Sequence, residues 1–158
     1  MMRTIRIGAL LALIAVLAAG VGTVAAGSGD GKILDTTLVG LPAPGTVIAG
    51  VTGAGHAWAV GDSSVKLFAD GRVRVRVEGL VLTPENVNPV GSGRIEVSCN
   101  GGVGGLGSGN VVQSAVIPLS IPDGNADFNG TLSLPSTCMA PTVFFTSAGG
   151  GWFAVSGF

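Results

Sequence analysis

The chain has 158 residues, of which 28 are glycine and 8 are proline, and only 11% carry a charge. Eight basic and nine acidic residues give a net charge of −1, which excludes the strong basic field of a typical nucleic-acid-binding protein. One histidine, two cysteines and no tyrosine leave few side chains for catalysis, so the sequence predicts neither an enzyme nor a cofactor.

Residues 1–26 have the pattern of a secretory signal peptide. Arg3 and Arg6 precede an apolar run, and the small residues Val24-Ala25-Ala26 predict cleavage after position 26. The alternative is a retained anchor, because residues 7–26 are about as long as the roughly 20 residues that span a bilayer. We prefer cleavage, because the apolar run is followed by glycines that weaken a helix. Either way the remaining domain is predicted to lie outside the cytoplasm, with membrane contact only through this segment.

Residues 27–45 are interpreted as a flexible lead-in to a single domain over residues 46–158. The segment contains Gly27-Ser28-Gly29-Asp30-Gly31 and Pro42-Ala43-Pro44-Gly45, which are typical of linkers and turns.

The domain itself is predicted to consist of short strands. The clearest is Arg72-Val73-Arg74-Val75-Arg76-Val77-Glu78, in which valines occupy one face and charged residues the other. Asp70-Gly71 precedes it and is a strong hairpin signal, so 64–69 and 72–82 should pair antiparallel around a two-residue turn. The other segments with strand-like patterns are 46–52, 57–60, 94–99, 111–119, 126–134, 142–146 and 152–156.

This spacing of strands and turns predicts an all-β fold. The expected architecture is a single antiparallel two-sheet sandwich of seven to nine strands, immunoglobulin-like in general architecture. The residues predicted to form its core are Val65, Leu67, Val73, Val75, Val77, Ile95, Val97, Cys99, Phe128, Leu132, Leu134, Val143, Phe145 and Val155.

Cys99 and Cys138 are the two cysteines of the chain. An exported chain reaches an oxidising compartment, where two cysteines have one possible connectivity. Their spacing differs from the Cys-x-x-Cys of redox-active pairs, so we predict a structural disulfide.

Three features suggest site chemistry, but each has a simpler structural interpretation. His56 lacks the companions that a metal site or a catalytic triad requires, so we expect a loop or edge residue. Residues 123–127 match the first half of a calcium loop, but Phe128 and Leu134 stand where glycine and glutamate are needed, and a hairpin turn is preferred. The glycine run 100–109 lacks the Lys-Ser or Lys-Thr ending of a phosphate-binding loop and is interpreted as a long, mobile hairpin loop.

Arg72, Arg74 and Arg76 form an outward-facing ladder, with Arg94 and Glu96 expected nearby. One interpretation is a patch for an anionic polymer such as a wall glycan or an acidic polysaccharide. The other, which we prefer at this point, is a solvated face whose charges pair across strands and limit edge association. The two tryptophans, Trp58 and Trp152, are expected to pack in the core or at its rim rather than to stack on sugars.

Several short motifs also suggest a family resemblance. The first half of the domain has Asp70-Gly71-Arg72 leading into 73–82, with Glu78-Gly79-Leu80-Val81-Leu82 at the end of that segment. The second half has Asn88-Pro89, a cysteine in the next strand, and Leu134-Pro135-Ser136-Thr137-Cys138-Met139-Ala140-Pro141. In these motifs, residues 46–158 resemble small exported bacterial β-sandwich proteins with no assigned activity. The resemblance implies export, a sandwich and a bridge between the two cysteines, and it implies no active-site residue.

The function predicted from the sequence is that of an exported, non-enzymatic domain that binds to or contributes to the cell surface or wall. The alternative is a soluble extracellular domain that binds or inhibits another exported protein through its loops. A hydrolase or other enzyme is the least favoured of the three. No metal and no nucleic acid is expected as a partner.

Overall fold

The computed structural model describes residues 31–157, so the predicted signal segment 1–26 lies outside the described residues. The described chain is all-β, as predicted, and forms several antiparallel sheets with one short 3-10 turn at Asn100–Gly102. None of its helical segments is long and apolar enough to cross a membrane. In chain order the strands of this part are β1 (Lys32–Thr36), β2 (Leu38–Gly40), β3 (Val47–Ile48), β4 (Val51–Thr52), β5 (Trp58–Ala59), β6 (Ser63–Phe68), β7 (Arg72–Val77), β8 (Val81–Leu82), β9 (Ser92–Ser98), β10 (Val111–Gln113), β11 (Ile117–Pro118), β12 (Ala126–Thr131), β13 (Thr142–Thr146) and β14 (Trp152–Ser156).

The first main sheet has four strands in the order β1-β6-β7-β12. Its central strands β6 and β7 pair antiparallel, which confirms the predicted hairpin, but the three residues 69–71 connect the strands instead of the predicted two. The Gly71 N–H donates to the Phe68 carbonyl at 3.0 Å, so the central turn residues are Ala69 and Asp70 rather than Asp70 and Gly71. Gly71 follows the turn with φ of +86°, a backbone conformation that glycine adopts readily.

The predicted strand 72–82 is shorter than expected. β7 ends at Val77, and Gly79 then adopts φ of +66°, which lies outside the extended region and turns the chain away. The residues that follow form β8, which pairs with β5 in a separate two-stranded sheet.

The second main sheet has the order β10-β9-β13-β14-β2, and β11 also pairs with β9. The predicted strand 111–119 is therefore two strands, β10 and β11, that both lie along β9. The predicted strand 46–52 is likewise divided into β3 and β4, which pair with each other across a tight turn.

The interpretation of residues 27–45 as a flexible lead-in is wrong for β1 and β2. β1 pairs with β6 at one edge of the four-stranded sheet, and β2 pairs with β14 at one edge of the larger sheet. Leu38 and Leu41 are buried in the core. Burial of these apolar side chains outweighs the flexibility suggested by the surrounding glycines and prolines.

One cluster of buried side chains contains residues from both main sheets. Twelve of the fourteen predicted core residues are buried, whereas Phe128 and Leu134 are partly buried and pack against the cluster. Phe144 is buried as well as its predicted neighbours Val143 and Phe145, so β13 is buried on both of its faces. The larger sheet is thus covered on both faces around β13.

The disulfide between Cys99 and Cys138 is confirmed, with the two Cα atoms 4.8 Å apart. It lies at the start of the glycine run, which connects β9 to β10 as the predicted hairpin loop. Asn100 holds this loop to the segment around Cys138, because its side chain donates to the Thr137 carbonyl at 2.7 Å and accepts from the Met139 N–H at 3.0 Å.

Candidate functional site

The arginine ladder lies on the exposed side of the four-stranded sheet. We call this surface the basic face and define it by Lys66, Arg72, Arg74 and Arg76, whose side chains are all exposed. Strict alternation along β7 places the three arginines outward while the valines between them enter the core, as predicted.

Two of the arginines have acidic partners at the ends of β7. Arg72 Nε donates to Asp70 Oδ2 at 2.7 Å, and Arg76 pairs with the Glu78 carboxylate. Hydrogen bonds from the backbone N–H and then the side chain of Arg72 hold the pKa of Asp70 below its ordinary value. These pairs run along one strand rather than across strands, so the cross-strand ion pairs expected from the sequence are not formed here.

The centre of the basic face lacks the close ion pairs that are found at the two ends of β7. Arg74 lies directly opposite Lys66 on β6 and opposite Asn129 on β12. Neither Arg74 nor Lys66 lies within ion-pair distance of an acidic group in the described chain. Lys66 also lies opposite Asp35 on β1, whose pKa is lowered by the hydrogen bond from Lys32 and, to a smaller extent, by the charge of Lys66. Like charges placed directly opposite each other in a sheet repel, so this arrangement costs stability unless an anion lies between them.

A shallow depression of about 360 Å³ lies over this centre. Its polar lining is supplied by three neighbouring strands, through Ser64, Lys66, Arg74, Arg76, Asp127 and Asn129. Cationic groups, a hydroxyl and an amide can together bind carboxylate, sulfate or phosphate oxygens. Asp127 faces Arg76 in register and lies at the rim of the positive region.

Arg94 and Glu96 do not lie near the ladder, and this expectation from the sequence is wrong. Both belong to β9 in the larger sheet, and Glu96 is 1% exposed. Gln113 joins them, since its Nε2 donates to Glu96 Oε2 at 2.5 Å and its Oε1 accepts from Arg94 Nη1 at 3.2 Å. The other carboxylate oxygen, Glu96 Oε1, is buried without a hydrogen-bond partner in the described chain.

Glu96 lines a cavity of about 300 Å³. The walls come from the turn and strand at 50–53, from Leu106 in the glycine run, from Val111, and from the glycines at 149–151. Glu96 is the one ionisable side chain in that lining. Burial raises its pKa, and the hydrogen bond from Gln113 offsets only part of this effect.

The raised pKa of Glu96 makes folding stability sensitive to pH. The folded protein retains this proton to a higher pH than the unfolded chain, so its stabilising contribution is present at acid pH and is lost as pH rises through the folded pKa. We expect the free energy of unfolding of the wild type to fall, relative to Glu96→Gln, as pH rises from the ordinary glutamate range to neutral. Urea unfolding of both proteins across this range measures it, and a difference that is independent of pH would contradict it.

The remaining sequence candidates are dispersed. His56 is exposed in a loop, and no group of three or more potential metal ligands occurs in residues 31–157. Residues 123–127 connect β11 and β12 of different sheets, so the predicted hairpin turn is wrong. Trp58 and Trp152 are 5% and 0% exposed, which confirms core packing and removes them as a sugar-binding platform.

Sequence reasoning missed the Glu96 cavity because Arg94-Ile95-Glu96-Val97 looks like a strand with one solvated face. The sequences of two neighbouring strands did indicate that this sheet is buried on both faces. The apolar runs 143–145 and 152–155 have no polar alternation, which is typical of strands buried on both faces. Since Glu96 is paired in register with Phe144, the covering of that strand buries the glutamate as well.

The chain is not matched by any protein-family model, by any curated protein or by any solved structure in the comparisons made.

Proposed function

We propose that the protein is an exported, non-catalytic domain that binds an anionic polymer of the cell surface through the basic face. The observation that supports this most strongly is the position of Arg74 at the centre of the sheet, where its cross-strand neighbours are Lys66 and Asn129 and it forms no ion pair in the described chain. A polymer with repeated carboxylate or phosphate groups supplies the missing negative charge at this point. The exposure of all four basic side chains leaves them accessible to such a chain.

In this proposal the two main sheets are the layers of a sandwich. The shared core cluster supports this arrangement, because it combines inward-facing residues of β6 and β7 with those of β9 and β13. Export and extracellular location follow from the signal-like pattern of residues 1–26 and are compatible with the disulfide. The sandwich then serves as a support that keeps the basic face exposed.

The matched variants for testing the basic face are Arg74→Gln and Lys32→Gln, which remove the same charge from one sheet. We expect Arg74→Gln to weaken binding to polygalacturonate several-fold, and Lys66→Gln/Arg74→Gln by roughly tenfold or more, since charge-assisted hydrogen bonds are lost. Lys32 pairs with Asp35 on the edge strand at 2.6 Å, so its removal should have little effect. Melting temperatures should remain nearly unchanged, because exposed charges contribute only about 0–1 kcal/mol.

Salt titration separates this proposal from a solvated face. Binding between exposed charges should weaken steeply as salt increases, because the screening length shortens to about 8 Å at 0.15 M. Uncharged dextran provides the control ligand. If the double variant binds polygalacturonate as the wild type does, and partitions equally between culture medium and washed cell walls, the polymer-binding function is wrong and a soluble partner-binding domain is the better assignment.

A further inference from the structure

The cavity at Glu96 is separate from the basic face, because it lies on the other main sheet. Its walls are unusual in composition, since five of its ten lining residues are glycine. Glycine has no side chain to block approach, so a ligand in this cavity can reach backbone carbonyl and N–H groups directly. The volume of about 300 Å³ is at the small end of ligand pockets and fits one side chain or one sugar ring rather than a polymer segment.

Glu96 lines this cavity and carries one acceptor atom that is unsatisfied. Glu96 is 1% exposed, and its Oε1 has no donor within the described chain while Oε2 is occupied by Gln113. Buried carboxylates are ordinarily hydrogen-bonded and paired with a cation, because desolvation of an unpaired charge is costly. Arg94, two residues away on the same strand, donates to Gln113 through Nη1 and forms no ion pair with Glu96, and its Nε is buried without a partner in the described chain.

We propose that this cavity binds a primary ammonium group, which donates to Glu96 Oε1 from a ligand inserted between the glycine walls. A cation satisfies both requirements of the carboxylate at once, because it supplies a hydrogen bond and a compensating charge. An ammonium group fits better than a guanidinium group. A guanidinium binds a carboxylate best through both oxygens, and here one oxygen is already engaged by Gln113.

The other N–H groups of the ammonium also need hydrogen-bond acceptors. The backbone carbonyls of the cavity walls can accept these hydrogen bonds. Thr52 contributes the one other polar side chain of the lining. Two kinds of molecule carry a primary ammonium of suitable size, namely a lysyl side chain of another polypeptide and an amino sugar. Both share the chemistry that the cavity recognises, and the experiment below distinguishes them.

The test is a titration of the full exported domain near pH 7, followed by amide NMR shifts of residues 149–151. The probes are Nα-acetyl-lysine-N-methylamide and glucosamine. The neutral control is the same lysine derivative acetylated at Nε, which has lost its charge. We expect saturable shifts with at least one charged probe, and at least tenfold weaker binding in Glu96→Gln. Saturation by the lysine derivative alone identifies a lysyl ligand, and saturation by glucosamine alone identifies an amino sugar.

Two results would overturn the proposal. The first is an absence of saturable shifts with both charged probes. The second is equal binding of the Nε-acetylated derivative, which would show that charge is irrelevant to the cavity. Both readouts use the wild-type protein, so they remain decisive even if Glu96→Gln folds poorly. The outcome is also independent of the basic face, and repeating the titration with Arg74→Gln should give unchanged affinities.

Discussion

Cys99→Ser is expected to lower the free energy of unfolding by about 2–5 kcal/mol. The bridge closes a loop with a sequence separation of 39 residues, for which the loss of chain entropy in the unfolded state corresponds to roughly 4 kcal/mol. Domains of this size are commonly stable by only about 5–15 kcal/mol, so the loss should be visible as a large drop in melting temperature. Urea unfolding of the oxidised wild type and the variant measures it.

The two cysteines differ in burial, and this difference provides a control for the experiment. Cys99 is 0% exposed, whereas Cys138 is partly buried at the edge of the core. Cys138→Ser therefore removes the same bond without placing a hydroxyl in a closed site, and should cost somewhat less than Cys99→Ser. The double variant should cost no more than the larger single loss, because one bond is removed in every case. A wild-type melting temperature that is unchanged by reducing agent would contradict this prediction.

Local sequence patterns were sufficient to predict strands that have one solvated face. The alternation in β7 and the hairpin signal before it gave the correct pairing and the correct buried valines. They were also sufficient for β13 and β14, whose bounds coincide with the predicted segments. Patterns of this kind depend only on neighbouring residues, which is why they can be detected in a single sequence.

The errors arose where contacts distant in sequence decide the structure. β1 and β2 looked like a linker because their own residues form no long alternating pattern, yet each is held by pairing with a strand from a later part of the chain. The three arginines of the basic face were recognised from sequence, but Lys66 was not, because its position opposite Arg74 depends on strand register. The Glu96 cavity forms where three separate loops come together over β9. A local sequence pattern contains no information about contacts between loops that are distant in sequence.

Gly102→Ala is expected to be the most damaging substitution in the glycine run. A Cβ atom at Gly102 would lie 1.9 Å from the Ala49 carbonyl oxygen and 2.8 Å from Ser98 Oγ. The first of these is a backbone atom in the turn between β3 and β4, and that turn is fixed because Ser98 Oγ donates to the same carbonyl at 2.8 Å. The substitution must therefore move either the turn or the loop.

The matched control for this prediction is Gly105→Ala in the same loop. Gly102 and Gly105 have φ of +68° and +66°, so both substitutions force alanine into the left-handed region at a similar cost of about 1–2 kcal/mol. No heavy atom lies within 4 Å of a Cβ at Gly105, so no steric cost is added there. We expect Gly102→Ala to lose about 1–3 kcal/mol more than Gly105→Ala in urea unfolding, because overpacking adds to the conformational cost. Equal losses would mean that the loop does not rest on the β3–β4 turn.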